Sequence, residues 1–177
     1  MVLVGSPVQG ASLVFDLLLG RLRPHRGSVR VLGEDPALGG RAIACEVGIV
    51  RHDDGLLDRL TVMENLRFAA DLFRLHCPPK YLANLIDRVE LGAVGELPVA
   101  QLAAIDRRRA ALARALVHDP VVLALEGLLD GIQAGERITM ERVLARLVDD
   151  GKAIFVTSGL EAPAGSFAAR VSLLAAA

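Results

Sequence analysis

Short, unbroken apolar runs recur along this sequence, separated by stretches of helical periodicity. Met1-Val-Leu-Val4 ends at Gly5, and Val47-Gly-Ile-Val50, Val121-Val-Leu-Ala-Leu125 and Ala153-Ile-Phe-Val-Thr157 follow. Runs without polar alternation are the pattern of strands covered on both faces of a parallel sheet. Ser28-Val-Arg-Val-Leu-Gly33 alternates like a strand, and Val171-Ser-Leu-Leu174 predicts the last one. Apolar spacing predicts a helix over residues 12–22. Thr61-Val-Met-Glu64 reads as a capping box that opens a helix to about residue 75. Pro78-Pro79 ends that helix and starts another, to about residue 91. Further helices are predicted over 106–117, closed by His118-Asp-Pro120, and over 136–148, ended by Gly151. The order implies one α/β domain over residues 1–177, with a mainly parallel sheet flanked by helices and a helical subdomain inserted at about 58–98.

Composition narrows the function classes. The chain has 177 residues, 53% of them hydrophobic, and a mean hydropathy of +0.43, which implies a sizeable core and excludes disorder. The apolar stretch from Leu13 to Leu22 is cut by Asp16 and Arg21, and no run approaches the roughly 20 residues that span a bilayer. A net charge of −1 argues against a strongly electropositive nucleic-acid binder, and 3% aromatics without Trp leave little for base stacking. The run Arg107-Arg108-Arg109 reads as a solvated helix face that supports a neighbouring loop. Cys45 and Cys77 are isolated, which favours idle thiols in a reducing compartment. His76 and His118 read as loop or helix-end residues rather than metal ligands.

The candidate chemistry begins after the first strand. Gly5-Ser-Pro-Val-Gln-Gly10-Ala11-Ser12 follows the phosphate-loop pattern G-x-x-x-x-G-K-[ST], except that Ala11 stands at the lysine. That gap matters because only Lys80 and Lys152 are lysines among 20 basic residues.

Ordered segments further on resemble the ATP-binding cassette (ABC) ATPase family, in particular the cytosolic subunits of exporter-type transporters. Gly27-Ser-Val-Arg-Val-Leu-Gly-Glu-Asp-Pro36 is similar to the family's strand after the first helix. Val47-Gly-Ile-Val-Arg-His52 sits where a strand runs into the Q-loop glutamine. Gly55-Leu-Leu-Asp-Arg-Leu-Thr-Val-Met-Glu-Asn-Leu66 resembles the entry to the helical subdomain. Arg107-Arg-Arg-Ala-Ala-Leu-Ala-Arg-Ala-Leu116 resembles the helix after the signature motif, and residues 121–125 take the place of the Walker B strand.

The positions that the resemblance assigns to nucleotide are substituted. The signature, L-S-G-G-Q in the family, reads Leu102-Ala103-Ala104-Ile105-Asp106 here. Asp-Glu at the end of the Walker B strand is Glu126-Gly127. His52 replaces the Q-loop glutamine, and the switch histidine falls on Ser158 or Gly159, depending on register. Ser12 and Glu126 are the weak Mg²⁺ candidates. Val8 stands where the phosphate loop usually has glycine, and a β-branched residue resists the left-handed backbone such loops use. A lost lysine removes a contact worth roughly 1.5–3 kcal/mol, and a lost general base roughly 10²–10⁴ in rate. Met1 also lies four residues before the loop, so the upstream antiparallel β-layer with its adenine-stacking aromatic is expected to be missing, unless another chain supplies it.

Three readings follow. The chain is a non-hydrolysing pseudo-ATPase that docks to an ABC permease subunit or to a competent ATP-binding subunit, binding ATP and Mg²⁺ weakly at best. Alternatively it is a working ATP-binding subunit that uses Arg51, Ser12 and Glu126, or a decayed or artificially assembled cassette without a selected role. The resemblance implies a cytoplasmic protein, peripheral at the inner face of the membrane through its partner alone, with no nucleic acid involved. Leu56, Leu57, Leu60, Val62 and Leu66 are either subdomain core or a partner groove.

Overall fold

The computed structural model describes residues 2–4, 11–158 and 170–172, with the backbone alone for 2–4, 11, 41–42, 158 and 170–172. Five strands, β1 (Val2–Val4), β2 (Val47–Val50), β3 (Val122–Glu126), β4 (Ala153–Ser158) and β5 (Arg170–Ser172), form one sheet. Its order is β2-β3-β4-β1-β5 and every pairing is parallel. The register sets Leu125 beside Val50 and Val156, and Glu126 beside Thr157.

The absence of polar alternation has its reason in the two faces. Leu123, Leu125, Ile154 and Val156 point into one core, and Ala124 and Phe155 into the other. The second core is closed by α1 (Ala11–Leu18) through Phe15 and by α2 (Pro36–Glu46) through Ile43. The first holds α3 (Val62–Leu72), α4 (Pro79–Arg88), α5 (Ala104–Ala115) and α6 (Ala134–Asp149). Each fully buried leucine of β3 contributes about 1.5–3 kcal/mol by leaving water. Gly48 lets β2 approach α5. A Cβ there would meet the Ala115 carbonyl, with Leu123 Cδ2 at 2.8 Å.

The capping box is present in both directions: Glu64 N donates to Thr61 Oγ1 at 3.1 Å and Thr61 N to Glu64 Oε2 at 2.8 Å. α4 starts at Pro79 with the ring at the position where no N–H is needed. Helices α3 and α4 and two short 3₁₀ turns, Gly92–Val94 and Val99–Gln101, fill the stretch before α5.

Two elements differ from expectation. Residues 28–33 do not form a strand: Leu32 and Gly33 take positive φ of 53° and 85°, turning the chain so that Val31 bridges back to Glu34. Arg30 Nη1 closes that turn on the Gly33 carbonyl at 2.8 Å. In its place after α1 stands α2, N-capped by Asp35, whose Oδ1 accepts from Ala37 N at 2.9 Å. It is broken at Gly40, where φ is 49° and ψ −127°.

Candidate functional site

The parallel strands β2 and β3 end side by side, and the C-terminal edge of such a sheet is where α/β folds bind ligands. The chain leaves β2 through Arg51 and His52 and leaves β3 through Glu126 and Gly127. These four line one cleft of about 180 Å³ with Asp54 and the first turns of α5. The sheet register therefore joins the positions that the resemblance assigns to the Q-loop and to Walker B. Ala104 borders the same cleft.

The other candidates are placed as follows. Ala103 is the exposed N-cap of α5 and supplies no capping oxygen, while Leu102 packs against the larger core. Ala11 opens α1, and Ser12 lies half-buried in its first turn. Ser158 ends β4, beside Val4. Gly5, Val8, Gly10 and Gly159 lie outside the described residues.

Glu126 is the buried charge of the cleft, 4% exposed. Its Oε2 lies 3.4 Å from Arg51 Nε, close enough to pair but off the line of a hydrogen bond, so that oxygen has no hydrogen-bond partner. Arg51 Nη1 donates to Asp16 Oδ1 at 3.1 Å, and the guanidinium carbon stands 5.7 Å over the Phe15 ring. Both anchors come from α1. The guanidinium is thus held from three sides between α1 and the end of β3.

Gly127 has a φ of 64°, in the left-handed region. A Cβ built on it would lie 2.8 Å from His52 Nδ1 and closer still to Cε1. The His52 ring, exposed on its outer side, packs onto the bare backbone of Gly127.

The arginine run is not a solvated face. Arg107 donates through Nε to Asp54 and through Nη1 to Asp58 at 2.6 Å, and the Asp54 hydrogen bond raises its pKa above the ordinary arginine value. Arg108 Nη1 donates to the Leu128 carbonyl at 2.9 Å, tying α5 to the turn after β3. Arg109 sits 3.4 Å from Asp106. Arg107 and Arg108 thus line the cleft, while Arg109 pairs within its own helix. No spacing in the sequence announces the Arg107–Asp54 pair, 53 residues apart.

His118 likewise does more than end a helix. It stacks on Phe73 with centroids 4.1 Å apart, and its Nε2–H donates to the Val47 carbonyl at 3.3 Å. Burial pushes its pKa below the ordinary histidine value. Among the described residues no group of three or more His, Cys, Asp or Glu side chains is arranged to hold a metal ion, and no helix is long and apolar enough to cross a membrane.

A family model described as ABC transporter matches residues 1–127. The chain is 33% identical over 158 residues to the Nod factor export ATP-binding protein I of Sinorhizobium fredii (strain NBRC 101917 / NGR234), covering 88% of this chain and 46% of that one. The protein of the same name from Burkholderia pseudomallei (strain 1710b) is also 33% identical over 158 residues, covering 88% and 52%. The chain thus spans about half the length of the curated relatives it matches. Among solved structures, cbiO1 from Clostridium perfringens, part of the ABC transporter complex cbiONQ, superposes with a TM-score of 0.78 at 21% identity, over 89% of this chain and 65% of that one. MJ0796, a bacterial ABC transporter cassette in dimeric form, gives 0.75 at 19% identity, over 90% and 74%. The fold is that of these cassettes.

Proposed function

The chain belongs to the ABC transporter family, and we propose that within it this is a non-hydrolysing cassette, a pseudo-ATPase whose remaining role is docking. The observation that carries this reading is Gly127. At the position where the resemblance places the general base there is no side chain, the backbone is left-handed, and His52 occupies the space beside it. Ala11 removes the phosphate-loop lysine. The alternative of a working site built on Arg51 is disfavoured by that residue's engagement with Asp16 and Glu126. ATP affinity is at best millimolar in this reading. The test is turnover with Mg²⁺-ATP: the expected result is none, and a rate above ~0.01 s⁻¹, still far below the usual 1–10³ s⁻¹, overturns it.

The docking half of the proposal rests on an apolar surface. Phe68 and Leu72 are exposed at 44% and 61% and lie four residues apart on one face of α3, and Leu75, exposed at 38%, follows just beyond the end of that helix. Beside them Val47, Ile49 and Ala69 line an apolar groove between β2 and α3. Of the leucines singled out earlier, Leu56 and Leu66 are core with Val62, whereas Leu57 is exposed at 42%. By resemblance the occupant is a helix of an ABC permease subunit, which would hold the chain at the cytoplasmic face of a membrane; a competent ATP-binding subunit is the other candidate partner. Recovery of a multi-spanning permease from solubilised membranes by wild type, lost in Phe68→Asp/Leu72→Asp with unchanged circular dichroism, supports docking. Recovery of neither partner by wild type rejects it and favours a decayed cassette.

A further inference from the structure

P-loop NTPases hold Mg²⁺ with the phosphate-loop hydroxyl and the Walker B carboxylate. The residues of this cleft do not fit that ion. Mg²⁺ needs near-octahedral oxygen coordination at about 2.0–2.1 Å and sheds its waters reluctantly. Among the described residues two carboxylates line the cleft: Asp54 is held by Arg107, and Glu126, followed by Gly127, has its buried Oε2 already facing the Arg51 guanidinium at 3.4 Å. Arg51 is not free to swing aside, because Asp16 holds Nη1 at 3.1 Å and the Phe15 ring lies under the guanidinium. The local charge is balanced as well. Two carboxylates, Asp16 and Glu126, meet two guanidiniums, Arg51 and the more exposed Arg21, 3.8 Å from Asp16. A divalent ion entering here would add two positive charges to a neutral group whose central carboxylate, Glu126, is buried.

We infer that Arg51 is the resident cation of this cleft: its guanidinium takes the place of the divalent ion on Glu126, and the cleft is built to stay closed without metal. The inference rests on the pseudo-ATPase reading but adds to it a cause and a residue. A cassette that merely lost its lysine and its base would keep an open carboxylate. This one has its carboxylate covered from within, through a contact that also ties α1 to β3. Arg51 is therefore a positioning residue, and it makes the metal-free state the stable one.

The experiment is Mn²⁺ titration, followed by electron paramagnetic resonance and by thermal unfolding, on wild type, Arg51→Met, Glu126→Gln and the double variant. Wild type is expected to take up no Mn²⁺ in the low millimolar range and to show no change in Tm on its addition. Arg51→Met uncovers Glu126 and should gain a site at least ~10-fold tighter than any wild-type binding. Its Tm should fall without metal and rise with it. Glu126→Gln in the same background should abolish the site and restore part of the lost Tm, because no buried charge is then left unpaired. Mn²⁺ binding by wild type that Glu126→Gln removes overturns the inference, as does a folded Arg51→Met that gains no site. If Arg51→Met does not fold, the comparison of wild type with Glu126→Gln decides: no metal bound by either supports the inference, and Glu126-dependent binding sinks it. The two proposals fail separately. Glu126-dependent Mn²⁺ binding without turnover removes the resident cation and leaves the pseudo-ATPase, whereas turnover insensitive to chelator removes the pseudo-ATPase and leaves the resident cation.

Discussion

The imidazole of His52 fills the space that a side chain on Gly127 would need. The two residues leave neighbouring parallel strands at the same level, so a change at one is a change in the other's environment. Gly127→Ala should destabilise the protein by about 1–3 kcal/mol, from the left-handed backbone and from displacement of the ring. Adding His52→Ala should recover the second part and leave the first. Urea denaturation of both single variants and the double variant gives that coupling directly.

The same relationship limits what restoration can achieve. In the pseudo-ATPase reading, Gly127→Glu puts a carboxylate where the resemblance places the general base, and Ala11→Lys puts a cation where it places the phosphate-loop lysine. Separately or together they are expected to leave turnover below ~0.01 s⁻¹. With His52 in place, the new carboxylate cannot adopt the backbone and rotamer that would aim it at a bound water. A coupled ATPase assay on the two single variants and the double variant tests this, and turnover in the double variant would show that the substituted residues alone, not the packing around them, silenced the site.

Arg107 is expected to hold the cleft wall. It pairs with Asp54 and Asp58, and Asp54 in turn accepts from Leu56 N at 3.0 Å while sitting at a φ of 36°. The guanidinium is about one-third exposed, so charge-assisted bonds that are worth 1.5–3 kcal/mol when shielded should contribute about 1–2 kcal/mol here. Arg107→Met should lower stability by that amount and speed amide exchange in residues 53–58 more than elsewhere. Uniform acceleration would mean that the pair supports global stability only.

The sheet was legible because burial on both faces leaves a composition with no alternative. β2 runs over the residues that its apolar run predicts, β3 is shifted by one residue, and β4 runs one residue further than expected. Thr61 and Glu64 announced α3 because capping is a local interaction, read at a fixed spacing. Residues 28–33 failed for the opposite reason: alternation marks a strand only if a neighbour completes the ladder, and the backbone at Leu32 and Gly33 turns away. α2 carried an Asp-Pro start, but Gly39 and Gly40 masked the helical period, and the helix does break at Gly40. At the cleft, the sequence named His52, Glu126 and Gly127 but not the packing of the first on the last. Nor did it show that Arg51 is shared between Glu126 and Asp16. Those contacts join residues dozens of positions apart, and the sheet register together with the packing of α1 brings them together.

His118 should make stability depend on pH. Its ring is buried against Phe73, and burial lowers its pKa despite the opposing pull of the hydrogen bond to the Val47 carbonyl and of Glu46 and Asp119; Lys152 acts in the same direction as burial. A histidine whose folded pKa is depressed binds fewer protons folded than unfolded. Its stabilisation is complete above the unfolded value of about 6.5 and is lost as pH falls through the lower folded value. Unfolding free energy should therefore decline from about pH 7.5 to 5.5, above the range where carboxylates dominate. His118→Phe keeps a ring on Phe73 and removes the titration, so its decline over that window should be shallower. An equal slope in the two proteins would assign the pH dependence to another group.

Asn65 should prove the most sensitive polar position of the helical layer. It is 2% exposed in the first turn of α3, and it closes the loop before that helix like a two-way clasp. Oδ1 accepts from Leu57 N at 2.8 Å, and Nδ2 donates to the carbonyls of Leu57 at 3.1 Å and Thr61 at 2.9 Å. Only an amide supplies both an acceptor and two donors at this spot. Asn65→Ala strands the Leu57 backbone groups and should cost about 2–4 kcal/mol, one to two buried groups' worth of lost bonding. Asn65→Asp keeps the acceptor but turns a second oxygen on the same carbonyls and buries a charge, so at neutral pH it should cost more than alanine. Lowering the pH protonates that carboxyl, returns one donor, and should narrow the difference between the two variants. Urea midpoints of Asn65→Ala and Asn65→Asp at pH 7 and pH 4.5 test this. If the aspartate is the milder change at pH 7, the amide donors are not what hold the loop.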